Sequence, residues 1–189
     1  MYRMSKMNDK ELLERYNAGE RDFQGAKLAF SFLDGANLNG ADFRGASLFS
    51  ASLKKADLSA VNLYAANLTG ADMREAYLGG SDLSEASLTG AKLCHAALHG
   101  SETKLQRANL TWADLRSTNL SEADLRCANL TGANLIQADL SGADLTGADL
   151  TDARLSGANL CGATLTNAKL IAAKFDGAIM PDGKRCEKL

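Results

Sequence analysis

The chain predicts an all-β solenoid with a thin aliphatic core, on three observations: a period of five residues, an alanine two positions before each leucine, and a glycine recurring two positions after it. Composition agrees with the pattern. Of 189 residues 46% are hydrophobic but only 6% aromatic, and proline occurs once, so the interior must be filled by small and medium aliphatic side chains. A net charge of −2 and abundant leucine exclude a disordered chain, while the scarcity of large rings excludes a thick globular core.

The repeat can be placed in register residue by residue. Taking the Leu or Phe as the centre, the series runs from Phe23 through Leu28, Leu33, Leu38 and Phe43 to Leu98, sixteen centres. After a spacing of seven it resumes at Leu105 and continues to Phe175 and Met180, sixteen more. Two residues before the centre only Arg21, Ser31, Val61, Ser81, Thr103 and Thr118 interrupt a column of alanine. The residue between is commonly Asp or Asn, as in Ala41-Asp42-Phe43 and Ala133-Asn134-Leu135.

A period of five matches neither a helix nor a continuous strand. Three residues running extended and two turning a corner satisfy it. The centre and the residue two before it then share one face and point inward, because alternate strand residues do so. Asp or Asn and the two residues after the centre face water, and glycine supplies the corner.

Repeats such as Ala143-Asp144-Leu145-Thr146-Gly147 resemble the A(D/N)LXX signature of the pentapeptide-repeat family over residues 21–180. The resemblance implies a right-handed quadrilateral parallel β-helix with four repeats per coil, hence about eight coils. At the spacing of neighbouring strands such a rod is roughly 38 Å long. The N-terminal end and the tail are similar to the stand-alone pentapeptide-repeat proteins common in cyanobacteria.

Three segments follow: residues 1–20 with a capping helix, the repeats at 21–180, and a tail at 181–189. Asn8-Asp9-Lys10-Glu11 reads as a capping box opening a short helix, with Leu12, Leu13 and Tyr16 on one side and Gly19 as its stop. Its apolar side should sit on the first coil. The tail, Pro181-Asp182-Gly183-Lys184 onward, leaves Ile171, Ile179 and Met180 near an uncovered last coil, which suggests a homodimer through the C-terminal coil. The two extra residues near 99–104 are expected as a corner bulge, with Leu105 and not Thr103 as the centre.

No enzyme chemistry is legible. A catalytic pocket needs convergent groups, and a closed tube of alanine and leucine offers no cavity. Cys94, His95 and His99 are close in sequence but are expected to point outward, with Cys94 and His99 on adjacent faces, so neither metal nor cofactor is expected. Cys94, Cys127, Cys161 and Cys186 lack disulfide or CxxC spacing and read as thiols. The start lacks an apolar leader and no run would span a bilayer, so the expected location is cytoplasmic, with no membrane and no nucleic-acid partner.

The function expected is an interaction scaffold for an unknown protein partner. Outward rings at Phe30, Phe32 and Phe49 in the first two coils, and Tyr64 and Tyr77 in the third, form the candidate surface, unless the N-terminal segment with Tyr2 and Met4 covers part of it. Thr69, Thr89, Thr111, Thr131 and Thr151 stand in one outward column, an even array of hydroxyls that an ice-binding face would also need. The alternative function, which the family resemblance brings, is mimicry of duplex DNA toward DNA gyrase. A DNA mimic of this length would carry on the order of twenty unpaired negative charges. Asp22, Asp42, Asp82, Asp124 and Asp144 make an acidic column, but Arg44, Lys104, Arg107 and Arg126 share its face, and 21 basic residues stand against 23 acidic ones.

Overall fold

The computed structural model describes residues 7–186, one helix followed by a right-handed parallel β-helix. Residues before the centres pair in parallel with counterparts twenty positions on, or twenty-two across the insertion, from Asp22↔Asp42 to Asn159↔Ile179. Twenty residues are four quintets, so a coil has four walls. They are named here by their first centres: the Phe23, Leu28, Leu33 and Leu38 walls. Eight coils result, the last running from Leu165 to Met180.

Through the first seven coils the quintets account for their backbone donors in one recurring pattern. The centre and the residue two after it donate to the coil above, as in Leu68 N to Ser87 O (2.8 Å) and Gly70 N to Thr89 O (2.9 Å). The next alanine donates back across the corner, Ala71 N to Leu68 O at 2.9 Å. This bond, with positive φ at the second corner residue only, marks a type II turn. The residue before the centre donates to the coil below, Asn67 N to Ala46 O at 2.9 Å, and one amide is left over, that of the residue just after the centre. The Asp or Asn column serves it: Oδ1 of Asn67 accepts from Thr69 N at 3.1 Å, and Asp144 does the same for Thr146 at 2.9 Å. The sequence explained that column by solvation alone, whereas its side chains complete the corner.

Glycine occupies fewer corners than its role suggests. Seventeen non-glycine residues, among them Phe30 (φ 63), His95 (φ 60) and Trp112 (φ 57), hold the same left-handed conformation. That conformation costs about 1–2 kcal/mol for a residue with a Cβ. In fifteen of the seventeen the residue's N–H is bonded to the coil above, as Phe30 N is to Phe49 O at 2.9 Å, which holds the corner in place.

Inside, the alanine and leucine columns are closed to solvent through the middle coils; Leu68, Leu88, Leu110 and Leu130 are fully buried. Full burial of such a side chain contributes about 1.5–3 kcal/mol, so the stacked columns are the main driving force for the coil. Phe23 and Phe43 stack in the first two coils, with centroids 5.4 Å apart.

Helix α1, Asp9–Asn17, plugs the first coil. Asn8 caps it by accepting from Glu11 N at 2.9 Å, while Glu11 turns its carboxylate toward Arg15. Leu12 and Tyr16 are buried against the coil, and Leu13 only partly. Phe32 N, which has no coil below it, donates to Asp9 Oδ2 at 3.0 Å. Arg21, the one charged residue in the alanine column, turns out to stack its guanidinium 3.8 Å from the Tyr16 ring centroid.

At the other end the tail is not loose. Residues 181–186 fold back so that Arg185 pairs antiparallel with Ile179, with Met180 N bonded to Lys184 O (2.8 Å) and Cys186 N to Ala178 O (2.7 Å). The tail covers the Leu38 wall and the corner that leads into it, where Gly177 N donates to Cys186 O at 2.9 Å. Ile179 and Met180 thus lie half-buried beneath the tail, while Ile171 stands 68% exposed on the Leu28 wall.

The insertion lies at the corner between Leu98 and Leu105, and pairing shifts there from twenty to twenty-two residues, as in Asp82↔Lys104. Thr103 keeps the alanine register, fully buried, with Leu105 as the centre. Its hydroxyl repairs the ladder. Gly80 N donates to Thr103 Oγ1 (2.9 Å), which in turn donates to His99 O (2.8 Å), replacing the direct bond of a regular coil. Thr103→Val should lower unfolding stability by about 1 kcal/mol in a urea titration, because a part-buried amide and carbonyl lose their partner. Thr89→Val on the outer wall should change it by less than about 0.5 kcal/mol; equal effects at the two sites would contradict the relay.

Candidate functional site

With the interior closed, function is left to the outward positions, three per quintet. The five rings proposed from sequence are all exposed, but the structure divides them. Phe30 and Phe49 meet edge to face, 5.4 Å between centroids, at the corner joining the Leu28 and Leu33 walls. Phe32 sits just past that corner and is 77% exposed. Tyr64 is on the Phe23 wall, its hydroxyl bonded to Glu85 at 2.8 Å, and Tyr77 is on the Leu38 wall between Asp57 and Ala97. One cluster of three rings and two isolated tyrosines replace a single surface. Tyr2 and Met4 lie outside the described residues.

A sixth ring escaped sequence reasoning. Trp112 occupies a corner of the Leu28 wall, 65% exposed, with its indole laid over Gly132, where a Cβ would fall 2.4 Å from ring carbons. Its outward place in the repeat was the available signal. Beside it the threonine column is partly engaged locally: Thr69 Oγ1 lies 2.9 Å from Ser87 Oγ, and Thr111 Oγ1 donates to Asn109 Oδ1 at 2.5 Å.

The charged walls carry paired ions. On the Phe23 wall Arg44 forks onto Asp42 (2.6 Å) and Arg126 onto Asp124 (2.7 Å); on the Leu33 wall Arg74 and Arg116 do the same with Asp72 and Asp114, each at 2.7 Å. The geometry follows from the repeat. Residues flanking a centre project on one face, so an Arg after the centre reaches the Asp before it while that Asp also accepts its amide. Arg44 and Arg74 hold the carboxyls of Asp42 and Asp72 below their ordinary range, chiefly through these side-chain bonds.

Two shallow open recesses lie along corners. One, of about 370 Å³, is lined by Tyr64, Glu85, Gln106, Arg107, Arg126 and Cys127; the other, of about 460 Å³, includes Arg74, Cys94, His95 and Arg116. Cys94 takes an outward position, as expected, yet only 7% of it is exposed because it lies between Arg74 and Arg116 in its column. Burial, then its bond to Asp114, raises its thiol pKa, so it stays protonated and unreactive. Cys94, Cys127 and Cys161 are free thiols. Among the described residues no three His, Cys, Asp or Glu side chains converge as metal ligands, and no helix is long and apolar enough to cross a membrane.

Asp114 is the most perturbed carboxyl, held at about 2 mainly by the Arg116 side-chain bond, with Cys94 and the Arg116 amide assisting against the cost of burial. A carboxyl depressed on folding stabilises the fold above its unfolded pKa, near 3.8, and loses that contribution as pH falls toward 2. Partial solvent screening reduces the effect to about 1 kcal/mol. Asp114→Asn keeps the acceptor for the Arg116 amide but not the charge. It should flatten the fall in stability between those pH values, measured by thermal unfolding, and an unchanged acid limb would contradict the assignment.

Comparison with known proteins agrees with this geometry. The family described as pentapeptide repeats matches with eight copies at residues 22–59, 62–100, 103–142 and 143–180, interrupted at the insertion. HetL, a pentapeptide-repeat protein involved in heterocyst differentiation regulation in Nostoc sp. strain PCC 7120, is 35% identical over 95% of this chain and 100% of its own, with a TM-score of 0.41. Trypsin-treated QnrB1, a plasmid-mediated fluoroquinolone resistance protein, aligns at a TM-score of 0.64 with 20% identity, covering 82% of each chain. A pentapeptide-repeat protein of the Arabidopsis thaliana thylakoid lumen gives a TM-score of 0.53 at 24% identity, over 56% of this chain and 73% of its own. A search of curated protein sequences finds no match. Coil count, corner chemistry and the extent of the match lead to one assignment: the chain belongs to the pentapeptide-repeat family.

Proposed function

We propose that this protein is a non-enzymatic interaction scaffold, a stiff four-walled rod that holds side chains at fixed spacing for a protein partner. The supporting observation is the Phe30–Phe32–Phe49 cluster. Phe30 and Phe49 meet edge to face at one corner, and Phe32, 77% exposed, lies just past it. Aromatic anchors surrounded by polar groups are the composition of interface centres. Phe49→Ser and Phe32→Ser should weaken capture of the cognate partner at least tenfold, a loss of about 1.4 kcal/mol, with the unfolding midpoint retained. Capture unchanged by both would reject the cluster as the contact.

The DNA-mimic reading is weaker on the same page. A mimic must present unneutralised negative charge along its length. Here Asp42 and Asp124, in the acidic column itself, are each forked by an arginine, and Lys104 stands between Asp82 and Asp124. DNA gyrase supercoiling should proceed unchanged in the presence of the protein; inhibition would favour mimicry over the scaffold.

A further inference from the structure

The first coil has an open edge beside the phenylalanine corner. Residues before the centres donate to the coil below, and under the first coil α1 takes over that role only in part. Asp9 accepts from Phe32 N on the Leu33 wall, and Tyr16 reaches Asn37 and Asn39 on the Leu38 wall. The Phe23 wall is where the chain enters, through Glu20 and Arg21. On the Leu28 wall the amide of Lys27 and the carbonyls of Lys27 and Ala29 have no hydrogen-bond partner among the described residues. Ser31, just past the end of that wall, gives an independent sign. Its hydroxyl is buried, with 5% of the residue exposed, and it too has no partner among the described residues. Two other hydroxyls of the alanine column show what it lacks. Ser81 Oγ donates to Leu78 O of its own coil at 2.6 Å, and Thr118 Oγ1 donates to Leu93 O, the centre carbonyl one coil below its corner, at 2.8 Å. Ser31 does neither, and for it the second acceptor would belong to a strand beneath Leu28.

We propose that this edge receives an extended peptide of the protein partner, added as a parallel strand beneath Lys27 and Leu28; the proposal rests on the scaffold reading and gives its partner a chemistry. The register of the regular coils fixes the contacts. Lys27 N donates to the peptide carbonyl beneath Ala26. The peptide amides beneath Leu28 and Phe30 donate to Lys27 O and Ala29 O, and the peptide carbonyl beneath Leu28 accepts from Ser31 Oγ. In strand addition such main-chain bonds give affinity, and side chains at alternate positions give specificity. The residue beneath Lys27 should be acidic, because in the same column of this wall Lys169 Nζ reaches Asp149, one coil below, at 3.1 Å. Beneath Phe30 a ring continues the Phe30–Phe49 pair by one level, about 4.8 Å lower. Beneath Leu28 the side chain must be small, since α1 fills the axis with Leu12 and Tyr16. The ligand is therefore an extended segment reading small, acidic, small, any residue, aromatic. The end of another β-helix cannot take its place, because α1 lies across the axis between the walls.

The test titrates the capped peptide acetyl-Gly-Ala-Asp-Ala-Ala-Phe-Gly-amide into the full chain, with chemical shift and amide exchange read residue by residue. The Lys27 amide should exchange quickly in the free chain and about tenfold or more slower at saturating peptide. Ser31→Ala restores the usual residue of its column, so the unfolding midpoint should hold or rise while peptide affinity falls about fivefold. Phe30→Gly suits the left-handed corner and should lower affinity about tenfold, with loss of the preference for Phe over Ala in the peptide. Lys27→Glu should reverse the preference between peptides carrying Asp and Lys at the acidic position. A Lys27 amide already protected in the free chain would mean that the chain covers its own edge, and would overturn the proposal. So would shifts confined to other walls at millimolar peptide, or binding indifferent to both Ser31→Ala and Lys27→Glu. Loss of the cognate partner on Phe49→Ser with no peptide binding would sink the edge and leave the scaffold reading standing. Peptide binding with the Lys27 response, but partner capture indifferent to the rings, would do the reverse.

Discussion

The structure depends on one constraint, that two side chains per quintet, a small one and a branched one, must enter a narrow axis from each of four walls. The small one is alanine because strands meeting at a corner leave little room beside the leucines. Once both columns are inside, the centre amide points along the axis to the coil above, and burial and hydrogen bonding reinforce each other. Corner strain follows from the same constraint. Phe30 and Trp112 accept a left-handed conformation because their inward neighbours and ladder bonds leave no alternative.

The display of side chains is a consequence of this economy. Through the first seven coils the donors other than the amide after the centre are used within or between coils, and where an Asp or Asn precedes the centre it meets that last need. An arginine at the donor's own position then finds the carboxylate in reach. The forks on Asp42, Asp72, Asp114 and Asp124 are therefore linked to the corners, and each neutralises its carboxylate. The outward apolar side chains include the phenylalanine corner near the helix, Trp112 at mid-rod, and Leu170 and Ile171 on the eighth coil.

The period, the register, the inward columns, the helix at the start and the place of the insertion were all legible from spacing, because the fold repeats its solution every five residues. Contacts between coils were not. Cys94 reads as outward from its position, but its cover comes from Arg74 and Arg116, twenty residues below and twenty-two above. Phe30, Phe32 and Phe49 could be named together, yet Tyr64 and Tyr77 belong to other walls, which only the count of quintets around a coil separates. The fold-back of the tail onto Ile179 lies outside the repeat, and no periodic signal announces it. Thr103 looked like a flaw in the alanine column, whereas its hydroxyl carries the bond that the inserted corner would otherwise lose.

Amide hydrogen exchange resolved by residue tests the central constraint most directly. The account predicts that in the middle coils the amides of Leu68, Leu88, Leu110 and Leu130 exchange slowest, and that those of Thr69, Thr89, Thr111 and Thr131, which face outward, exchange fastest, with the contrast recurring every fifth residue. Uniform protection along each quintet, or a periodicity other than five, would contradict it.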